Sequence, residues 1–398
     1  MASSATSGRL WTPGFVRLCL VGFCYYACVY LLLSVMPLYL ARGGQTDIVI
    51  GALLSLMNAA SFVVRPFTGW LTDLHGRRLY IALGILGLLL GTGGLPFVGA
   101  SITAFAGLRI LLGVGWGNLT ATANTLAGEL VPASRRGEAL GFYTMFGSLA
   151  LAGGPTVGLA LARAHGYAAA FWVATAFAAL GLLMAVTLPE PKREPHAPAP
   201  LRLINLISVP VLGPSLLVVV HSLMYGALVN FLPLLAERRG LGDTGLFFTA
   251  YAVSLLVLRS LAGRISDRLG RAQVIGPGLL CGAACMILLA NASQRWEMLV
   301  GALLFALAMA GVQPPSQAWG LDLAVGGRRG TAMSTIVMAQ DVGIAGSGVL
   351  LGWIATRAGL PAAFWTAGIL ALVAVAGLGV AWRLGAVPGT ARAQAKAG

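Results

Sequence analysis

The chain has 398 residues, of which 58% are hydrophobic and only 10% charged, with a mean hydropathy of +0.86 and a net charge of +14. Apolar runs this long and this frequent exceed what a water-soluble core can hold, so most of the chain is expected in lipid and no soluble domain is left over. The positive charge does not point to nucleic acid, because the basic residues follow the ends of the apolar runs instead of gathering in one patch.

A membrane crossing takes about 20 apolar residues. On that basis twelve spans are expected, at 15–40, 47–70, 79–98, 101–127, 138–161, 168–188, 209–235, 244–265, 274–291, 296–320, 330–355 and 361–384. They read as helices, since none alternates apolar and polar residues as a lipid-facing strand does. The first run lacks a small-residue cleavage site and reads as a retained span. Between spans 6 and 7, "LPEPKREPHAPAPLRLINLISVP" at 188–210 is the longest polar segment. It divides the chain into an N-terminal six-helix bundle at 1–188, a linker at 189–208, and a C-terminal bundle with a short tail at 209–398. If the N-terminus is cytoplasmic, inside segments carry 17 of the 26 basic residues and outside loops six, which sets both termini inside. The expectation is therefore an all-α membrane protein of 12 transmembrane helices in two pseudo-symmetric six-helix bundles, multi-pass in the cytoplasmic (inner) membrane of a bacterium, monomeric and surrounded by the lipid bilayer.

An internal repeat supports the division. Arg65, Gly69, Asp73, Gly76 and Arg77 recur as Arg259, Gly263, Asp267, Gly270 and Arg271, each shifted by 194 positions. "RRGEALGFY" from Arg135 and "RRGTAMSTI" from Arg328 match at an offset of 193, and Pro37 near the end of span 1 answers Pro233 near the end of span 7. Parallel six-helix repeats are an architecture of secondary transporters. Cys24 with Cys28 and Cys281 with Cys285 have i, i+4 spacing; soft metal ligation is one reading and apolar packing the favoured one, so no metal and no cofactor are expected.

"GWLTDLHGRR" at 69–78 resembles the signature that the major facilitator superfamily carries between helices 2 and 3, and "GRISDRLGR" at 263–271 is a weaker second copy between spans 8 and 9. "LRILLGVGWG" at 108–117 resembles the family's helix 4 motif, with Arg109, Gly113 and Gly115 kept and Leu112 where glutamine is usual. "GSLALAGGPTVG" at 147–158 resembles the helix 5 motif of drug:proton antiporters, with Gly154, Pro155 and Gly158 kept and Ala150 and Leu159 in place of two glycines. The resemblance implies the fold of that family and a conformational latch in both copies of the signature, at Gly69, Asp73, Gly76, Arg77 and Arg78 and at Gly263, Asp267, Gly270 and Arg271. Asp73 with Arg77 and Arg78, extended by Glu129, Arg135 and Arg136, would make and release charge-assisted bonds as the two bundles rock. The alternative is that these charges only set topology.

Four ionisable residues fall inside spans: Arg65, Arg109, Arg259 and Asp341. A charge at mid-bilayer costs about 2.5–3.5 kcal/mol, which makes each a candidate for function. Asp341, the only acid well inside a span, is either a proton carrier or one half of a fixed ion pair with Arg65 or Arg109. The resemblance puts spans 1, 4, 7 and 10 around a central cavity. Helical phase would then line it with Tyr26 and Tyr30, with Arg109, Gly113, Trp116 and Thr120, with His221 and Tyr225, and with Gln313 and Gln317. For His221 a bond between helices is an equal alternative.

No ATP-binding loop or nucleophile and base motif is visible, so an enzyme is not expected and the driving force is a gradient. The reading is a proton-coupled exporter of small amphiphilic compounds, with small-molecule substrate and protons as its partners; the alternative is a proton-coupled uptake symporter for a nutrient, sugar, organic acid or metal chelate.

Overall fold

A computed structural model describes residues 10–99, 101–131, 135–190, 208–323 and 329–384. Its helices are α1 (Pro13–Leu31), α2 (Val35–Arg42), α3 (Asp47–His75), α4 (Arg77–Gly94), α5 (Ile102–Glu129), α6 (Arg136–His165), α7 (Tyr167–Ala185), α8 (Leu212–Arg239), α9 (Thr244–Leu269), α10 (Arg271–Asn291), α11 (Arg295–Asp322), α12 (Arg329–Ala358) and α13 (Leu360–Arg383). Among the described residues eleven segments are long and apolar enough to cross a membrane, α1 and α2 together forming one of them; α9 adds the twelfth, with an apolar stretch at Thr244–Leu258. Most of the expected linker lies outside the described residues.

The first span is broken where the sequence reading had it continuous. Residues 32–34 form a turn between α1 and α2. Pro37 accounts for the position, since its ring removes an N–H and crowds the carbonyl of Leu33 four residues back. Pro233 occupies the corresponding place in α8 and the helix runs through it.

Several helices run longer than their apolar runs. α12 has 30 residues, about 45 Å at 1.5 Å each, against a hydrocarbon core of about 30 Å. The extra length shortens the connections between helices. Only Gly76 separates α3 from α4, and only Gly270 separates α9 from α10, with φ of 103° and 105°. Gly166 and Gly359 do the same for α6–α7 and α12–α13, with φ of 84° and 86°. At each junction a side chain would strain a backbone that glycine alone adopts freely.

Within the first bundle α1 packs on α6 and α7, and α5 on α3 and α4; within the second α8 packs on α12, and α11 on α9 and α10. Two seams join the bundles, α3 against α12 and α6 against α9. We call the side holding residues 188–190 and 208 the linker face and the opposite side the distal face. The Arg17 guanidinium donates to the Thr187 carbonyl at 2.6 Å, tying α1 to the linker face.

Candidate functional site

The charged centre of the α3–α12 seam is an ion pair between the bundles. Arg65 Nε donates to Asp341 Oδ2 at 2.5 Å and Nη2 to Oδ1 at 3.4 Å, with the two side chains 12% and 5% exposed. The third guanidinium nitrogen, Nη1, donates to Thr120 Oγ1 at 3.1 Å, and that hydroxyl donates to the Trp116 carbonyl at 3.1 Å. A guanidinium fork suits this geometry because its donors are planar and fixed. Asp341 lies twelve residues beyond Arg329, about 18 Å along α12.

Distal to the pair, both seams are shut. Asp47 takes two bonds from Arg238, at 2.5 and 3.0 Å, and the Ile48 amide donates to Thr356 Oγ1 at 3.0 Å. Below them Gly51 and Gly348 meet so closely that a Cβ on either would strike the other's carbonyl oxygen. On the second seam Thr249 Oγ1 donates to the Ala152 carbonyl at 2.5 Å and lies 3.2 Å from Thr156 Oγ1, while Arg163 pairs with Asp243 at 3.0 Å. These contacts all lie at the level of Arg65–Asp341 or nearer the distal face.

On the linker face the turns repeated in both halves gather several of the expected charges and further acids. The backbone amides of Arg77 and Arg78 donate to the two carboxylate oxygens of Glu190, at 2.8 and 2.9 Å, so a residue at the start of the linker caps α4. The Arg77 side chain reaches Glu129 at 3.4 Å. Arg135 pairs with Glu138 at 2.8 Å, within its own segment. In the second bundle Arg271 pairs with Asp322 at 3.2 Å and donates to Ser266 Oγ at 3.1 Å. Asp322 follows Glu129 by 193 positions, so the repeat includes this acid; the sequence reading overlooked it although the offset identifies it. The side chains of Gly69, Asp73, Arg136, Arg259, Gly263 and Asp267 lie outside the described residues.

Two cavity assignments are corrected. Arg109 is buried and turned into the first bundle, donating to the carbonyls of Leu53 at 3.4 Å and Leu54 at 2.5 Å, with Met36 Sδ at 3.2 Å. Gly113 on the same face has Met57 and Ala60 where a Cβ would go, so the face of α5 carrying Arg109, Gly113 and Thr120 is packed on α3. His221, 2% exposed, is inside the second bundle: its ring stacks on Phe305 at 5.4 Å, Nε2 stands 3.0 Å from Met309 Sδ, and Nδ1 has no hydrogen-bond partner.

The remaining candidates are half-buried. Tyr26 stacks on Tyr30 at 5.6 Å, and Trp116 approaches Tyr25 at 5.9 Å and Tyr26 at 5.6 Å edge to face. Behind them the hydroxyls of Tyr25 and Tyr143 share a 2.6 Å bond. Gly147 leaves room for the Tyr26 ring, and Gly154 and Gly158 let α6 lie against Tyr30 and Leu31; Pro155 sits inside α6 between these glycines. In the second bundle Gln313 donates to Gln340 at 3.0 Å, Gln317 is half-buried, and Tyr225 lies 6.2 Å from Phe305. Among the described residues no three His, Cys, Asp or Glu side chains cluster for a metal, and the five cysteines are free.

A family model described as "Major Facilitator Superfamily" matches residues 18–244 and 214–398. The chain is 25% identical to the uncharacterized MFS-type transporter YhhS of Shigella flexneri over 96% of its own length and 95% of that protein. It is 26% identical to a multi-drug resistance efflux pump PmrA homolog of Lactococcus lactis, over 63% of this chain and 65% of that one. The crystal structure of a POT family transporter bound to a thioalcohol-conjugated peptide shares the fold, with a TM-score of 0.77 at 15% identity, covering 93% of this chain and 96% of that one. Eleven membrane-length apolar segments among the described residues and a family match along nearly the whole chain place it in a class: it is a multi-pass membrane transporter of small molecules, not an enzyme. It belongs to the major facilitator superfamily.

Proposed function

We propose that this transporter exports small amphiphilic compounds in exchange for protons, as a monomer in a bacterial inner membrane with its linker face cytoplasmic. The 17 to six distribution of basic residues supports that orientation. With the distal seams shut, the structure then corresponds to a state closed towards the outside, and alternating access consists of opening these seams while the linker side closes.

The observation that carries the proton coupling is the buried Arg65–Asp341 pair across the moving seam. Protonation of Asp341 removes its charge and leaves Arg65 without its partner, which weakens the seam. Return of the proton to water restores the pair and favours the distal-closed state. One proton thus biases the equilibrium between two states by its different interaction with each. The substrate would bind between Tyr26, Tyr30 and Trp116 on one side and Gln313 and Gln317 on the other. An aromatic wall and an amide wall suit a compound with a ring and a few hydrogen-bonding groups. With Arg109 committed to α3 carbonyls, an anionic substrate is not required. Gly154, Pro155 and Gly158 and the efflux pump relative support the outward direction.

Proteoliposomes with an imposed proton gradient test this reading. Asp341→Asn is expected to abolish gradient-driven transport and retain exchange of labelled for unlabelled substrate. Driven transport that survives in this variant refutes Asp341 as the proton carrier. Accumulation of labelled compound in expressing cells, against depletion, would favour the uptake symporter.

A further inference from the structure

The distal rim holds a second site, apart from the groups proposed to bind substrate. Two cavities meet there at Arg42 and Tyr167. One, of about 420 Å³, lies wholly in the first bundle and is walled by apolar and aromatic groups, among them Val98, Ile102, Phe105 and Tyr39. The Tyr39 hydroxyl donates to the Gly99 carbonyl at 3.0 Å, and Gln45 and Ser101 add polar groups to the lining. The other cavity, of about 240 Å³, is a cleft between the bundles whose mainly apolar walls also carry charged and polar groups, Arg163 from α6, Glu237 from α8 and Thr244 from α9.

Arg42 is set apart from the other arginines around this cleft. Arg163 bonds Asp243, Arg238 bonds Asp47, Arg239 bonds the carbonyls of Ala290 and Ala292, and Arg295 bonds that of Leu241. The Arg42 guanidinium instead lies over the Tyr167 ring at 5.2 Å and 4.0 Å from Glu237, too far for a hydrogen bond, with its side chain 66% exposed. It stands where the two cavities meet, in a long ion pair with Glu237 and with none of its donors in a short hydrogen bond to a described residue.

We propose that this composite cavity binds an anionic amphiphile, with an apolar tail in the chamber and a carboxylate or phosphate head on Arg42. A cation at the edge of a largely apolar groove is matched by a molecule with one charged end, and its five donors suit an oxyanion. The head region has walls from both bundles, whereas the tail chamber has walls from the first alone. Opening the distal seams would pull the head region apart, so the ligand binds the distal-closed state more tightly and holds the transporter in it. The head can come from a membrane lipid or from a free amphiphile, and the test separates the two.

Purified transporter in neutral detergent is titrated with decanoate and with decanol while thermal unfolding is followed. Saturable stabilisation by decanoate, weak or absent with decanol, is expected. Arg42→Gln should weaken the decanoate response about tenfold, as loss of a charge-assisted contact implies. Glu237→Gln, which removes the competing carboxylate, should strengthen it, and Phe105→Trp, which fills the chamber, should weaken it. In nanodiscs, stabilisation by phosphatidylglycerol over phosphatidylcholine that Arg42→Gln erases identifies a lipid head; an Arg42-dependent decanoate response without a phosphatidylglycerol response identifies a free amphiphile. If neither response depends on Arg42, or decanol matches decanoate, the site is only a lipid-filled crevice and the inference is overturned.

Discussion

Arg65 and Asp341, 276 positions apart, face each other from different bundles with two nitrogens opposite two oxygens at 2.5 and 3.4 Å. A buried pair of this kind contributes little net stability over an apolar substitute, yet breaking it on one side leaves a charge without a partner and costs about 3–5 kcal/mol. Arg65→Ala is therefore expected to destabilise the protein strongly, and Arg65→Ala with Asp341→Ala together less than the sum of the two single changes. Thermal unfolding of the double-mutant cycle measures the coupling; additive effects would show the two side chains to be independent.

Gly51 and Gly348 form the closest backbone approach of the distal seam. Gly348→Leu puts a side chain into that space, and overpacking of a tight interface costs about 1–3 kcal/mol in the closed form. The distal face should then stay open. A cysteine introduced at Thr356 should react with a membrane-impermeant maleimide several-fold faster in the Gly348→Leu background, and an unchanged rate would mean that the seam does not govern access.

Glu190 caps the first turn of α4 through two amide bonds at 2.8 and 2.9 Å. Replacing it with alanine should lower stability by about 1 kcal/mol, as loss of a helix cap does. Faster hydrogen exchange confined to the amides of Arg77 and Arg78 is the signature to measure; exchange spread over the whole bundle would indicate a different role.

Arg109 is expected to act through folding and not through substrate recognition. Lysine in its place offers a point charge and cannot reach the carbonyls of Leu53 and Leu54 in the same geometry. Arg109→Lys should reduce the yield of folded protein while the fraction that folds keeps the substrate affinity of the parent. A large rise in KM with normal yield would return Arg109 to the cavity.

The spans were legible in the sequence because about 20 apolar residues in a row have few structural alternatives. The turns at Gly76 and Gly270 were legible because the glycines recur at one offset, and Asp341 because a lone acid in an apolar span is conspicuous. Helix orientation was not legible. A span that is apolar all round has no polar face to fix its rotation, and spacing alone put Arg109 and His221 towards a cavity that their hydrogen bonds and stacking face away from. The break before Pro37 was likewise hidden, since the equivalent Pro233 is accommodated in an unbroken helix. Glu190 was missed because its partner is a pair of backbone amides, which leave no mark in a pattern of side chains.

The two seams are related by the repeat, but among the described residues only one carries an acid in the middle of a span. The 193-residue offset that pairs Arg135 with Arg328 pairs Asp341 with Ser148, whose hydroxyl is spent on the Thr144 carbonyl of its own helix. The duplicated backbone is symmetric while its electrostatics is not. Under the proposed coupling, a proton arriving from either side would meet a lever on the α3–α12 flank and a passive hinge on the α6–α9 flank, and this lopsidedness is what would let an otherwise symmetric machine tell one stroke from the other. Moving the acid, by Ser148→Asp with Asp341→Ser, would shift the lever to the opposite flank and ask whether the chain still knows which way it turns.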